Sequence, residues 1–221
     1  MRFFLLTAFA LSAFAQTSGR CTGTPKAFNP AIGDWNGWGV DSVNSRYQPQ
    51  PGLVAEDVSK LKVKWAFGFP NETRTVAQPA LVGGRVFVGG AGMVYSLDAA
   101  TGCTYWTYEV GAIMRTAISI VRVGNQWIAY FGDGGGSAHA VDAQTGKALW
   151  KVKVDDYPVA RITGAPTYYN GRLYVPVASG EELASNAPKY ECCKFRGSLA
   201  ALDASTGRVI WKTFTIPDPA K

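Results

Sequence analysis

The sequence predicts an all-β fold, a β-propeller of four-stranded antiparallel blades, on three observations. The phrase Asp-Ala-x-Thr-Gly occurs at residues 98–102, 142–146 and 203–207, and a Trp follows each Gly by four residues, at Trp106, Trp150 and Trp211. Two further runs of β-type residues precede each copy, giving four short strands per unit. A lone four-stranded sheet leaves an apolar face bare, so the units must stack radially, with the Trp side chains in the packing between them. From Asp98 to Asp142 is 44 residues and from Asp142 to Asp203 is 61, against roughly 40–50 for one blade. The second interval therefore carries an insertion.

Taken in order, Met1-Arg2 followed by an apolar run that closes on Ala13-Phe14-Ala15 has the charged start, apolar middle and small-residue cleavage site of a secretory signal over residues 1–15. Export to the periplasm or the exterior is the expectation. The apolar run falls far short of the roughly 20 residues that cross a bilayer, so no membrane span is expected once the signal is removed. Residues 16–60 form an N-terminal extension, and Gly19-Arg20 makes Cys21 a poor lipidation site. Leu61-Lys62-Val63-Lys64-Trp65-Ala66-Phe67 reads as the last strand of a preceding blade, opening a partial propeller over residues 61–221. Its blades lie near residues 76–110, 115–154 and 161–215. In the first, residues 78–82 and 86–90 flank the turn Gly83-Gly84. In each repeat the Asp can accept from amides ahead of it and the Gly can take positive φ, so a tight turn joins two strands.

The formal charge of +6 includes Arg2, and no run of Lys or Arg concentrates it. That describes a mildly basic, solvated surface and gives no ground for nucleic-acid binding. His139, between small residues on a strand, has no Ser-Asp or metal-ligand spacing around it and reads as structural. Four cysteines permit three pairings. Either the neighbours Cys192 and Cys193 bridge each other, leaving Cys21 and Cys103 to pin the extension to the first blade, or each pairs elsewhere, with Cys21 and Cys103, or stays free.

Three further stretches carry a resemblance: Asp34-Trp35-Asn36-Gly37-Trp38-Gly39, Asn44-Ser45-Arg46-Tyr47 and Val58-Ser59-Lys60-Leu61-Lys62-Val63-Lys64-Trp65. With the repeat, they resemble the N-terminal part of the quinoprotein alcohol dehydrogenases, PQQ-repeat propellers that use pyrroloquinoline quinone (PQQ). Trp65-Ala66-Phe67-Gly68-Phe69-Pro70, Ala160-Arg161-Ile162-Thr163-Gly164-Ala165-Pro166 and Tyr190-Glu191-Cys192-Cys193-Lys194-Phe195-Arg196-Gly197 resemble the polyvinyl-alcohol dehydrogenase branch. The resemblance implies eight blades, of which about three and a half are present, with PQQ and Ca²⁺ near the axis. It also implies an alcohol substrate that loses a hydride to the quinone, and a cytochrome c-type electron acceptor. The chain has no Cys-x-x-Cys-His and one His, so any haem lies elsewhere.

By the same resemblance Thr163, Gly164, Ser179, Gly180 and Glu181 border the quinone, and Glu182 is the Ca²⁺ ligand, a hard oxygen donor suited to that ion. Glu181 replaces a small residue there and leaves the choice of carboxylate open. The pair Cys192 and Cys193 either covers the quinone or staples its own loop. Arg115, Arg161 and Arg196 are candidate partners for the three carboxylates of PQQ, since buried anions require cations. No catalytic residue is assigned, because the family's catalytic Asp belongs to later blades. The chain is thus expected to be a fragment, inactive alone. The alternative is a noncatalytic PQQ-repeat propeller, a protein-binding scaffold in outer-membrane assembly; Ser179–Glu182 and the cysteine pair favour the dehydrogenase.

Overall fold

Gly83 and Gly84 both have positive φ, 57° and 74°, and they join β1 (Ala80–Val82) to β2 (Arg85–Gly89) with Val82 opposite Arg85. This two-residue reversal matches the right-handed twist of the strands it connects. The computed structural model describes residues 19–31, 33–41, 43 and 45–216, so the expected signal over residues 1–15 lies outside the described residues. With β3 (Met93–Asp98) and β4 (Thr104–Glu109), the first sheet runs β1-β2-β3-β4, each pair antiparallel. The second is β5 (Ser119–Val123), β6 (Gln126–Gly132), β7 (Ser137–Asp142) and β8 (Ala148–Lys153). In the third, the short β9 (Ala160–Arg161) pairs with the far end of β11 (Arg172–Ser179), and the main order is β10 (Thr167–Tyr169), β11, β12 (Ser198–Asp203) and β13 (Val209–Phe214). The all-β, antiparallel four-stranded architecture is as expected.

The repeat turn works as its residues dictate, with the Thr adding a bond of its own. Oδ1 of Asp98 accepts from the backbone N–H of Ala100 and Thr101 and from the Thr101 hydroxyl, at 2.9–3.0 Å. Asp142 and Asp203 repeat the arrangement with Thr145 and Thr206. The closing glycines, Gly102, Gly146 and Gly207, have φ of 75°, 77° and 75°.

Each of these glycines is also the floor of a contact between blades. A Cβ at Gly146 would lie 2.7 Å from the Trp106 ring, and the Trp106 indole N–H donates to the Ala143 carbonyl at 3.1 Å. Trp150 sits in the same way on Gly207 and donates to Ala204 at 3.0 Å. Residues 61–67 form no ladder, in contrast to the strand expected there, yet Trp65 occupies the equivalent seat on Gly102 and donates to Ala99 at 3.1 Å. Around these contacts lie three cores among the described residues: one between the first two blades (Phe87, Val94, Trp106, Met114, Phe131), one between the next two (Tyr130, Ile162, Leu173, Leu202), and one in the first blade (Val88, Tyr95, Leu97) against which Trp65 and Phe67 pack.

The extension is threaded across the first two blades. Cys21 and Cys103 form a disulfide with Cα atoms 5.0 Å apart. The Cys21 amide donates to the Thr104 carbonyl, so the segment lies along the outer strand β4. Further on, Phe28 packs edge-on against Phe87 and Trp127, and the Asn36 side chain both donates to and accepts from the backbone of Ile120, at 2.7 Å each way, on the first strand of the second blade. Among the described residues no helix is long and apolar enough to cross a membrane.

Asp98 carries an additional load. Burial opposes its ionisation, but the hydrogen bonds from Tyr105 (2.7 Å), Lys26 (2.9 Å) and Thr101 outweigh that cost and hold its carboxyl far below the usual range. A depressed carboxylate pKa contributes stability that is present above the unfolded value, about 4, and lost as pH falls below it. The expected result is a urea midpoint that drops on acidification below about pH 4, and an Asp98→Asn variant that is less stable at neutral pH and loses less on acidification. Urea titrations between neutral pH and pH 3 check this; parallel curves for the two proteins would contradict it.

Candidate functional site

The repeat turns and the Gly83-Gly84 turn lie at one end of the blades, which leaves the other end to the second-to-third-strand connections and to the segments leading into each blade. In the first two blades these connections are short, residues 90–92 and 133–136; in the third, residues 180–197 carry the insertion read from the repeat spacing. The lead-in segments are fixed by single backbone bonds to the preceding blade: Met114 N–H to Gly90, and Ile162 N–H to Asp133. Arg115 and Thr163 thereby occupy the same register position, four residues before β5 and β10, while Arg161 stands two residues earlier.

Arg161, Ser179, Gly180 and Glu181 are brought together. β9 pairs Arg161 with Ala178 and Ala160 with Ser179, and the Arg161 guanidinium lies across Gly180, where a Cβ would sit 2.5 Å from Cζ. Gly180 is what permits that approach. Arg161 is half-buried and Arg115 exposed, and neither has a hydrogen-bond acceptor or ion-pair partner among the described residues. Gly164 lies against Pro176, close enough that a Cβ would meet its ring at 2.7 Å. Beside Gly164 opens a cleft of about 500 Å³, lined by Trp38 and Asp41 of the extension and by Ser119 and Tyr168 of the inner strands. Arg196 lies elsewhere: its guanidinium covers the Phe214 ring of β13 at 4.0 Å.

The two adjacent glutamates part company on the short helix α1 (Glu181–Ala184). Glu182 is exposed. Glu181 is buried and takes four hydrogen bonds: Tyr157 and Tyr190 hydroxyls (3.0 and 2.8 Å) and the Lys194 amide (3.0 Å) at Oε1, and the Phe195 amide (3.1 Å) at Oε2. Burial raises its pKa, but the bonds from Tyr190, the Lys194 amide, Tyr157 and the Phe195 amide prevail and hold the carboxyl below its ordinary value. Cys192 and Cys193 form a disulfide, exposed at the tip of the loop so anchored. The pairing left open by the residues alone is thus Cys21 with Cys103 and Cys192 with Cys193.

Among the described residues no three His, Cys, Asp or Glu side chains converge on a point that could hold a metal ion, so Glu182 belongs to no such cluster. His139 is fully buried, stacked on Phe131 at 4.9 Å, with Nε2 2.9 Å from Asp133 and Nδ1 3.2 Å from the Tyr108 hydroxyl. That is a core role, as expected, though nothing in the sequence pairs it with Asp133. Nothing in the sequence assigns Tyr157 and Tyr190 to Glu181: Tyr190 lies within the stretch that resembles the polyvinyl-alcohol dehydrogenase branch, and nothing around Tyr157 marks it.

Radially stacked repeat blades, with one second-to-third-strand loop enlarged and pinned at the end opposite the repeat turns, define a class: repeat-built β-propellers. Residues 42–190 match the family model described as outer membrane protein assembly factor BamB, and the chain belongs to this PQQ-repeat family. It is 48% identical over 186 residues to a polyvinylalcohol dehydrogenase of Pseudomonas sp., covering 82% of this chain and 29% of that protein. A polyvinylalcohol dehydrogenase of Sphingopyxis sp. (strain 113P3) is 41% identical over 202 residues, covering 89% of this chain and 31% of its own length. Among solved structures, the quinohemoprotein alcohol dehydrogenase ADHIIG of Pseudomonas putida HK5 superposes with a TM-score of 0.70 at 27% identity, over 84% of this chain and 27% of that one. The chain therefore spans about 30% of the length of the curated relatives it matches.

Proposed function

We propose that the chain is the N-terminal part of a periplasmic PQQ-dependent dehydrogenase that oxidises alcohols, secondary or polymeric ones such as polyvinyl alcohol among them, and passes electrons to a cytochrome c-type acceptor. One observation carries this reading: only the third blade has its connecting loop enlarged, gathered on a buried carboxylate and tipped with an exposed disulfide, beginning at the glycine over which Arg161 lies. Blade stacking requires none of this.

The residues present fit the quinone. Arg115 and Arg161 are cations without acceptors among the described residues, suited to carboxylates, and Gly180 keeps the space over which one of them lies free of a side chain. When bound, PQQ supplies the hydride acceptor. The chain's own residues bind and orient: Arg115 and Arg161 hold carboxylates, Thr163, Gly164, Ser179 and Gly180 border the ring, and the disulfide covers it from the solvent side. The residues present do not make a Ca²⁺ site, and no step is assigned to that ion or to Glu182. No residue of this chain is assigned as the base, so this segment alone is expected to be inactive.

Gly180→Ala is expected to displace Arg161, a flexible side chain, at a stability cost under about 1 kcal/mol, while weakening quinone binding several-fold. Fluorescence titration with PQQ checks it; unchanged affinity would remove Arg161 from the site. The activity itself is tested with the product of the complete reading frame containing this chain, given PQQ and Ca²⁺. Alcohol-dependent dye reduction is the expected result, and no gain with primary, secondary or polymeric alcohols sinks the enzyme reading. The family description favours a second reading, a protein-binding scaffold, and an inactive protein that captures an outer-membrane assembly partner would support it.

A further inference from the structure

We infer that Glu181 is a positioning residue for the Cys192–Cys193 disulfide, a buried carboxylate that ties both flanks of the pair to the third blade. On one flank Tyr190 donates its hydroxyl to Glu181; on the other the amides of Lys194 and Phe195 do so. From below, Tyr157 donates to the same oxygen, and its ring packs on Phe195 at 5.4 Å. The disulfide itself makes little of this: both its residues are exposed, and the one backbone bond at the pair runs from the Cys192 amide to the Tyr190 carbonyl. An 18-residue connection without strands would be free to sample many conformations; a single ionised acceptor shared by four donors selects one, because bonds to a charged group are about twice as strong as neutral ones. Glu181 is thus held away from a ligand role by its own loop, and the exposed face of the disulfide is its product. That this face meets the quinone rests on the proposed function; the hold of Glu181 on the loop does not.

The test uses the protein from its complete reading frame and amide hydrogen exchange. Glu181→Gln keeps the volume, so a packing role predicts wild-type protection. The acceptor role predicts faster exchange at Lys194 and Phe195 by about tenfold or more, with β6 and β7 unchanged, since Gln offers one acceptor oxygen to four donors. Tyr190→Phe removes one donor and is expected to give a smaller rise over residues 185–191; should Glu181→Gln unprotect β6 and β7 as well, this variant decides. In a second arm PQQ is titrated by Trp fluorescence, and Glu181→Gln is expected to weaken it by about tenfold. Unchanged exchange overturns the inference, and faster exchange with full quinone affinity overturns positioning. A wild type that binds no quinone, yet whose loop loosens in Glu181→Gln, overturns the proposed function and upholds Glu181's hold on the loop.

Discussion

Trp106→Ala is expected to destabilise the protein by about 3–5 kcal/mol, the range for emptying a buried Trp site. The indole is 5% exposed, and it fills the space above Gly146 while its N–H meets the Ala143 carbonyl. Removing it opens a cavity between the first two blades and strands a carbonyl. Trp211 is the same residue in the same repeat, but it is 37% exposed and touches only the Tyr174 ring at 6.1 Å among the aromatic contacts. In this chain Trp211→Ala is expected to cost under about 1 kcal/mol. Urea unfolding followed by far-ultraviolet circular dichroism compares the two. Equal costs in the product of the complete reading frame would mean that a further blade seats Trp211 there; equal costs in this chain alone would contradict the packing argument.

Cys103→Ser is expected to cost about 2–4 kcal/mol. The bond it removes spans 82 residues of sequence, so the unfolded chain regains the freedom of a long loop. It also frees residues 19–21 from the edge of β4, where they pair by two backbone bonds, from Cys21 to Thr104 and from Thr104 to Gly19. The loss should appear as a lower urea midpoint in the oxidised protein, and the gap should close when both proteins are measured in a thiol reductant. A wild type whose midpoint ignores the reductant would refute it, provided mass spectrometry shows the bond broken.

The repeat turns and the inter-blade role of Trp could be read because local chemistry dictates them, whereas the disulfide that anchors the extension joins residues 82 apart in sequence, and the residues alone left its pairing open. Asp-Ala-x-Thr-Gly encodes its own turn through bonds within five residues. The site was harder to read. Glu181 and Glu182 are indistinguishable as letters; which one turns inward depends on Tyr157, Lys194 and Phe195, up to 24 residues away. The resemblance set Glu181 beside the quinone and made Glu182 the Ca²⁺ ligand; in the structure Glu181 accepts four bonds from Tyr157 and its own loop. Nothing in the sequence around Arg196 shows that its guanidinium lies on the Phe214 ring of β13. Residues 61–67 have the alternation of a strand and form no ladder, since a ladder needs a neighbour and Trp65 needs only a glycine.

That contact has a direction. Each blade offers a knob, the indole on its outer strand, and a hole, the glycine floor of its repeat turn, and the two are different surfaces, so blades join head to tail. Trp65 fills the first hole, Trp106 the second and Trp150 the third, while the knob of Trp211 is left over. A segment bearing an empty turn of the same kind presents the surface that matches Trp211, so an array extended in this way keeps the same head-to-tail direction.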